Sequence, residues 1–104
     1  MDSKQLYIVT AHLSSTVTWD KDWIHFGTGK DLKQDLVNMF IDDFLQDDAL
    51  NLVHGRQDSG RYHKIEIKIR MQKFLGQESF QLWNESLTKA IDFNRIGVLK
   101  LGRK

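Results

Sequence analysis

The sequence contains no cysteine and no proline in 104 residues. Without cysteine the chain can form neither a disulfide nor a thiolate metal site, which excludes the disulfide-rich secreted domains and the cysteine-based zinc modules. No apolar run approaches the roughly 20 residues of a membrane-spanning helix, and the segment after Met1 lacks the pattern of a signal peptide. The sequence therefore predicts a cytoplasmic protein that makes no contact with a membrane.

Charged side chains of the two signs are present in nearly equal number. The chain has 15 lysines and arginines and 14 aspartates and glutamates, so its formal net charge is +1. Apolar residues make up 40% of the chain, which is typical of a folded protein rather than a disordered one. A chain of this length buries roughly two thirds of its unfolded surface, and we expect one globular domain over residues 1–104.

Glutamate and arginine are both absent from the first half of the chain. Residues 1–52 contain four lysines and nine aspartates, a net charge of −5, whereas residues 53–104 contain eleven basic and five acidic residues, a net charge of +6. If the fold keeps these charges apart, the surface has one acidic and one basic patch that suit a charged partner. If the fold interleaves them, they neutralise each other, and the sequence leaves both alternatives open.

Hydrophobic periodicity predicts an α+β fold in which the elements follow the order β-β-α-β-α-β. We expect a mostly antiparallel sheet of about four strands, with two helices packed on one of its faces. The charged residues 20–22 interrupt the second strand, and residues 49–53 fit either a short turn or a strand. The predicted elements are strands over residues 5–13 and 17–28, a helix over 30–46, a strand over 62–73, a helix over 77–91 and a strand over 96–101.

The segment 62–73 has the clearest strand pattern, because apolar and charged residues alternate along it. The apolar set is Ile65, Ile67, Ile69 and Met71. A strand places this set on one face and the charged residues on the other, which predicts one face in the core and one in water. In segment 77–91 the apolar residues keep helical spacing instead, at Phe80, Trp83, Leu87, Ala90 and Ile91.

Two short motifs resemble parts of known catalytic sites. Gly27, Gly29 and Lys30 resemble the end of a phosphate-binding loop, but the chain lacks the other positions of that loop. The segment is therefore interpreted as a tight turn with a helix cap, in which Thr28 and Asp31 resemble a capping box. Asp58 followed by Glu66 and Lys68 outlines a nuclease site, in which two carboxylates hold magnesium and a lysine orients water. A solvated strand of mixed charge produces the same outline.

The histidines show no spacing that would hold zinc, which needs three or four converging ligands. They are His12, His25, His54 and His63. No nucleophile motif is complete either. The sequence therefore predicts no cofactor, no metal site and no catalytic residue.

Two charged surfaces are the candidate contact sites for a partner. The acidic face lies on the predicted helix and consists of Asp35, Asp42, Asp43 and Asp47. The basic face consists of Arg61, Lys64, Lys68 and Arg70. Trp19 and Trp23 lie near a polar loop and fit either the core or an exposed binding hot spot.

The predicted function is that of a non-enzymatic binding module. It would be a small accessory protein of the inhibitor or immunity type that docks a charged surface on a protein partner. The alternative is a nucleic-acid-binding protein or a minimal magnesium-dependent nuclease that uses Asp58, Glu66 and Lys68. The basic face favours the nucleic-acid alternative, whereas the nearly neutral net charge counts against it.

Overall fold

The computed structural model describes residues 1–104, and its centre is a seven-stranded antiparallel sheet. The prediction of about four strands and two helices is wrong, because the chain forms seven strands and three helices. The helices are α1 (Ser3–Leu13), α2 (Gln34–Phe40) and α3 (Lys64–Arg70). The strands are β1 (Thr18–Trp19), β2 (Ile24–His25), β3 (Ala49–Val53), β4 (Gly60–His63), β5 (Phe80–Trp83), β6 (Lys89–Asn94) and β7 (Val98–Arg103).

The strands lie in the spatial order β1-β7-β6-β5-β3-β4, and β2 also pairs with β7. Successive side chains of a strand point to opposite faces, and both faces of this sheet are covered. On one face Leu52 and Leu82 join the large core with Ile41 and Ile67, which come from α2 and α3 and their extensions. On the other face Trp83 packs with Leu6 of α1 in a smaller core. The helices therefore lie on both faces of the sheet, and the prediction that they share one face is wrong.

The whole of the first predicted strand, residues 5–13, belongs to helix α1. A reciprocal capping box begins the helix: the Asp2 carboxylate accepts the Gln5 backbone N–H at 2.8 Å, and the Gln5 side chain accepts the Asp2 N–H at 3.1 Å. Leu6 and Thr10, one turn apart, are the buried residues. The strand prediction is wrong because apolar residues on both parities of a short segment fit a helix as well as a buried strand.

Strands β1 and β2 are two halves of one interrupted strand that lies along β7. Thr18 is opposite Arg103, and Ile24 is opposite Leu99. The interruption falls at residues 20–23, which includes the predicted charged positions. The helix predicted over residues 30–46 is replaced by a 3-10 turn, the shorter helix α2, and one π-helical turn over Ile41–Leu45.

The segment with the clearest strand pattern forms β4 and helix α3. The His63 side chain caps the helix, because its Nδ1 accepts the Ile65 backbone N–H at 3.2 Å. Ile67 and Met71, four residues apart, are fully buried, whereas Ile65 and Ile69 face outward. A pattern that repeats every two residues also repeats every four, so the same alternation satisfies a helix with one buried stripe.

The predicted helix over residues 77–91 is the hairpin of β5 and β6. Its turn is organised by Asn84, whose Oδ1 accepts the backbone N–H groups of Thr88 at 2.8 Å and Lys89 at 2.9 Å. Leu87 in this turn has a φ of 59°, a left-handed conformation that a helix cannot contain. The helix prediction is wrong because the polar turn residues outweigh the helical spacing of the apolar ones.

Candidate functional site

The acidic and basic segments meet where α3 lies beside the π-helical turn. Lys68 Nζ lies 2.8 Å from Asp42 Oδ1 and 3.0 Å from Asp42 Oδ2. Lys64 Nζ lies 3.4 Å from Asp48 Oδ1. The two charge blocks are therefore interleaved at this contact, and the separation on which the charged-surface prediction depended is lost there.

The other predicted contact residues are engaged to different degrees. Arg61 forms an ion pair with Glu85, and Arg70 Nη2 lies 3.5 Å from Glu66 Oε1. Asp47 Oδ2 accepts the Glu85 backbone N–H at 2.8 Å. Each of the four predicted basic residues thus has an acidic partner within the chain. Two predicted acidic residues are exposed and make no side-chain hydrogen bond or ion pair, namely Asp35 and Asp43.

Each predicted nuclease residue contacts a different partner in the chain. Lys68 is paired with Asp42, Glu66 is paired with Arg70, and Asp58 lies in the loop after β3 beside His54. No group of three or more His, Asp or Glu side chains in the structure is arranged to hold a metal ion. A nuclease site of Asp58, Glu66 and Lys68 would therefore require these pairs to separate.

The outer face of α3 is an exposed apolar stripe that the sequence interpretation placed in the core. Ile65 and Ile69 are one helical turn apart, and each is 61% exposed. Lys64 and Lys68 run along one side of this stripe, while Glu66 and Arg70 lie along the other. We name these six residues the α3 surface. The predicted basic residues form part of its rim.

Trp19 and Trp23, which the sequence assigned either to the core or to a binding hot spot, have different environments, and neither is fully buried. Trp19 is half-buried over Gly102, and its Nε1–H donates to the Ser14 carbonyl at 2.9 Å. Trp23 is 40% exposed, and Lys100 Nζ lies 4.5 Å from its ring centroid. The fully buried tryptophan is Trp83.

A cleft of about 340 Å³ lies next to the α3 surface and contains His54. The imidazole ring stacks on Phe74 with centroids 4.3 Å apart, its Nε2 lies 3.4 Å from Glu78 Oε1, and its Nδ1 lies 4.0 Å from Asp58 Oδ2. Arg70, which also lines this cleft, lies over the Tyr62 ring. Because both ring nitrogens face carboxylates of the chain, the arrangement orients the imidazole and joins the loop after β3 to residues 74–78.

A larger cavity of about 390 Å³ lies on the opposite face of the sheet, between α1 and strands β3, β5 and β6. Asp92 of β6 lines this cavity, and its Oδ1 accepts a hydrogen bond from Gln81 Nε2 at 3.4 Å. Burial raises the pKa of the Asp92 carboxyl above its ordinary value of 3.8, although the Gln81 hydrogen bond and the charge of Lys100 act in the opposite direction. A half-buried carboxyl in a cavity is a candidate binding group, and no sequence motif pointed to it.

Asp92→Asn is expected to raise the melting temperature at pH 7. Because folding raises the Asp92 pKa, the stability that the protonated carboxyl contributes is complete below pH 3.8 and is lost as the pH rises through the raised pKa. The uncharged amide avoids that loss. The advantage of the variant over the natural protein should therefore shrink as the pH is lowered, which melting curves from pH 3 to 8 would measure. Exposed Asp43→Asn serves as the control, and an Asp92→Asn variant that melts lower at pH 7 would contradict the prediction.

No helix in the structure combines the length and the apolar character that crossing a membrane requires. Comparison of the chain with protein-family models, with curated proteins and with solved structures found no match.

Proposed function

We propose that the protein is a non-enzymatic binding module, an accessory protein of the inhibitor type, that docks on one protein partner through the α3 surface. The observation that supports this proposal is the pair of adjacent isoleucines, Ile65 and Ile69, each 61% exposed. An apolar centre surrounded by charged side chains is the usual anatomy of a protein–protein contact. The docking surface differs from the predicted acidic and basic faces, because its centre is apolar and its charges form the rim.

The energetics of the isoleucines support a covered surface. Complete burial of an aliphatic side chain of this size contributes about 1.5–3 kcal/mol, so covering the exposed part of each isoleucine contributes about 1–2 kcal/mol. A helix face that only had to be solvated would gain nothing from isoleucine, which is also a weaker helix former than alanine, lysine or glutamate. The solvated flank of the same helix carries charged side chains instead, at Glu66 and Arg70.

The rim of the α3 surface favours a protein over a nucleic acid. Lys68 is paired with Asp42, Lys64 with Asp48, and Arg70 with Glu66. Binding to a phosphate backbone would require these cations to leave their carboxylates, which would then face the phosphates. An apolar patch on a protein needs no such exchange, because it contacts Ile65 and Ile69 and leaves the ion pairs at the rim. These ion pairs favour a protein partner, and the partner in this proposal is a different chain that presents an apolar patch.

Ile69→Asp is expected to weaken the complex at least about 30-fold, as expected for a hot-spot residue worth about 2 kcal/mol. The matched control is Ile96→Asp, because Ile96 is 69% exposed but lies in the β6–β7 turn. A photo-reactive residue at position 69, with position 96 as control, would first link and isolate the partner from cell extract. Titration calorimetry with the purified partner would then compare the two variants.

Three outcomes would contradict the docking proposal. The first is equal affinity of Ile69→Asp and the natural protein for the isolated partner. The second is a dimer in sedimentation that Ile69→Asp dissociates, because the occupant would then be a second copy of the chain. The third is a shift of labelled RNA or DNA at low salt that charge removal at Lys64 and Lys68 abolishes, which would support the nucleic-acid alternative. If charge reversal at Asp35 and Asp43 abolished binding while Ile69→Asp left it unchanged, the contact would lie on the acidic face instead.

A further inference from the structure

The Asp92 carboxylate has one oxygen that the chain leaves without a partner. Its Oδ1 accepts from Gln81 Nε2, and the orientation of that amide is set by Trp83, whose Nε1–H donates to Gln81 Oε1 at 3.0 Å. Asp92 Oδ2 accepts no hydrogen bond from the protein and belongs to no ion pair. The amide network therefore holds one side of the carboxylate and leaves the other available to a molecule in the cavity.

Two cations lie near the cavity, and neither forms an ion pair with Asp92. Lys100 is opposite Asp92 in the β6–β7 register, but its ammonium group lies over the Trp23 ring, and its charge offsets only part of the effect of burial on the carboxyl. Arg56 lies with its guanidinium carbon 5.6 Å from the centroid of the Tyr7 ring. A half-buried carboxylate without an ion-pair partner lowers the stability of the fold, and a bound cation would remove that cost.

The hydroxyl groups of two α1 residues on the cavity wall have committed their protons to the helix backbone. The Thr10 hydroxyl donates to the Leu6 carbonyl at 2.7 Å, and the Ser14 hydroxyl donates to the Ala11 carbonyl at 3.0 Å. Thr10 is completely buried, whereas Ser14 is half-buried, so the oxygen lone pairs of Ser14 remain for a ligand. A ligand that enters this cavity therefore meets a carboxylate and a hydroxyl acceptor, which favours a group with several N–H donors.

Apolar side chains complete the cavity next to these acceptors. Ala11 of α1 and Val53 of β3 line it, together with Tyr7. A cavity of about 390 Å³ lies within the size range of small-molecule sites, which are mostly apolar with a few polar groups that orient the ligand. The composition of the wall therefore suits a ligand that has a cationic end and an apolar body.

We propose that the cavity between α1 and the sheet binds a small organic cation, a primary amine or a guanidinium compound with an apolar or aromatic body. The ammonium or guanidinium group donates to Asp92 and to the hydroxyl oxygen of Ser14. The apolar body lies against Tyr7 and Val53. This site is on the face of the sheet opposite the α3 surface, so ligand binding and partner docking are separate properties of the protein.

Titration calorimetry with benzylamine as the probe tests the proposed site, with benzyl alcohol as its neutral counterpart and benzoate as its anionic one. We expect benzylamine to bind at least tenfold more tightly than either of the other two at pH 7. Asp92→Asn is expected to weaken benzylamine binding at least tenfold, whereas Asp43→Asn is expected to leave it unchanged. Melting curves would show whether both variants are folded, which separates loss of binding from loss of structure.

The pH dependence supplies a second readout. Benzylamine affinity should fall as the pH is lowered towards the Asp92 pKa, because the protonated carboxyl no longer pairs with the ammonium group. The groups that act on the carboxyl are Gln81, through a hydrogen bond, and Lys100, through its charge, while Arg56 lies against Tyr7 on the cavity wall. Equal binding of the amine and the alcohol, or equal binding by Asp92→Asn and the natural protein, would overturn the proposal. Ile69→Asp should bind the amine normally, which keeps this test independent of the docking proposal.

Discussion

Replacing Ile67 by alanine is expected to lower the free energy of unfolding by about 2–5 kcal/mol, whereas Ile69→Ala is expected to change it by less than about 0.5 kcal/mol. Ile67 is completely buried in the large core, and its truncation removes apolar contacts and leaves a cavity between α3 and the sheet. Ile69, only two residues along the chain, is 61% exposed and loses little on truncation. The contrast follows from the helical period of α3.

Urea unfolding of the two variants and of the natural protein, followed by tryptophan fluorescence, would measure this difference. Ile65→Ala should behave like Ile69→Ala, and Met71→Ala should behave like Ile67→Ala. A strand over this segment would place all four residues on the same face and make their costs similar. Similar losses of stability in all four variants would therefore contradict the helix. Large losses at Ile67 and Met71, with small ones at Ile65 and Ile69, would confirm it.

Gly27→Ala is expected to destabilise the fold by about 3 kcal/mol or more. Gly27 has a φ of +85°, where a residue with a Cβ costs about 1–2 kcal/mol. The added Cβ would also lie 2.3 Å from the Asp31 carbonyl oxygen, which forces the backbone of the loop to move. A hydrogen bond from the Lys33 backbone N–H to the Phe26 carbonyl, at 2.7 Å, closes that loop. Movement of the backbone would weaken this hydrogen bond.

Gly29→Ala is the matched control for Gly27→Ala. Its φ of +55° carries a similar conformational cost, but an added Cβ there meets no atom within 4 Å. We expect Gly29→Ala to cost about 1–2 kcal/mol, so the difference between the variants isolates the contact with the backbone. Thermal unfolding by circular dichroism gives both values. Equal costs would mean that the loop from Phe26 to Lys33 is not closed as the structure has it.

The interpretation of segment 27–31 as a tight turn agrees with this geometry. Its glycines have positive φ and the chain reverses there through a 3-10 turn. The side chain of Thr28 makes no capping hydrogen bond, so the turn depends on its glycines and on the backbone. This is the kind of feature that a local sequence can specify, because the left-handed region is available to glycine without help from distant residues.

Other local signals were present but were outweighed in the prediction by apolar periodicity. The Asp2–Gln5 capping box marks the start of α1 two residues before the apolar run on which the strand prediction relied. Asn84, with Ser86 and Thr88, marks a polar turn inside the predicted helix over 77–91. Both segments could have been assigned correctly by giving the polar boundary residues more weight than the apolar ones.

The candidate sites depended more strongly on tertiary structure. Asp92 is a lone aspartate in an alternating strand, and only the packing of α1 over β6 creates a cavity beside it. The exposure of Ile69 follows from which side of α3 meets the sheet, which no local pattern records. The pairing of Lys68 with Asp42 joins residues 26 positions apart, and it could not be distinguished in the sequence from two separate charged faces.

By itself the sequence determined the absence of disulfides, the near balance of charge, the interrupted strand around residues 20–22 and the final strand. These features depend on composition or on contacts with near neighbours along the chain. Only the tertiary structure decided that the sheet has seven strands, that helices cover both of its faces and that the opposite charges meet. The physical reason is that a two-residue alternation satisfies a helix and a strand equally. The free energy that separates them comes from burying Ile67 and Met71 against strands distant in sequence.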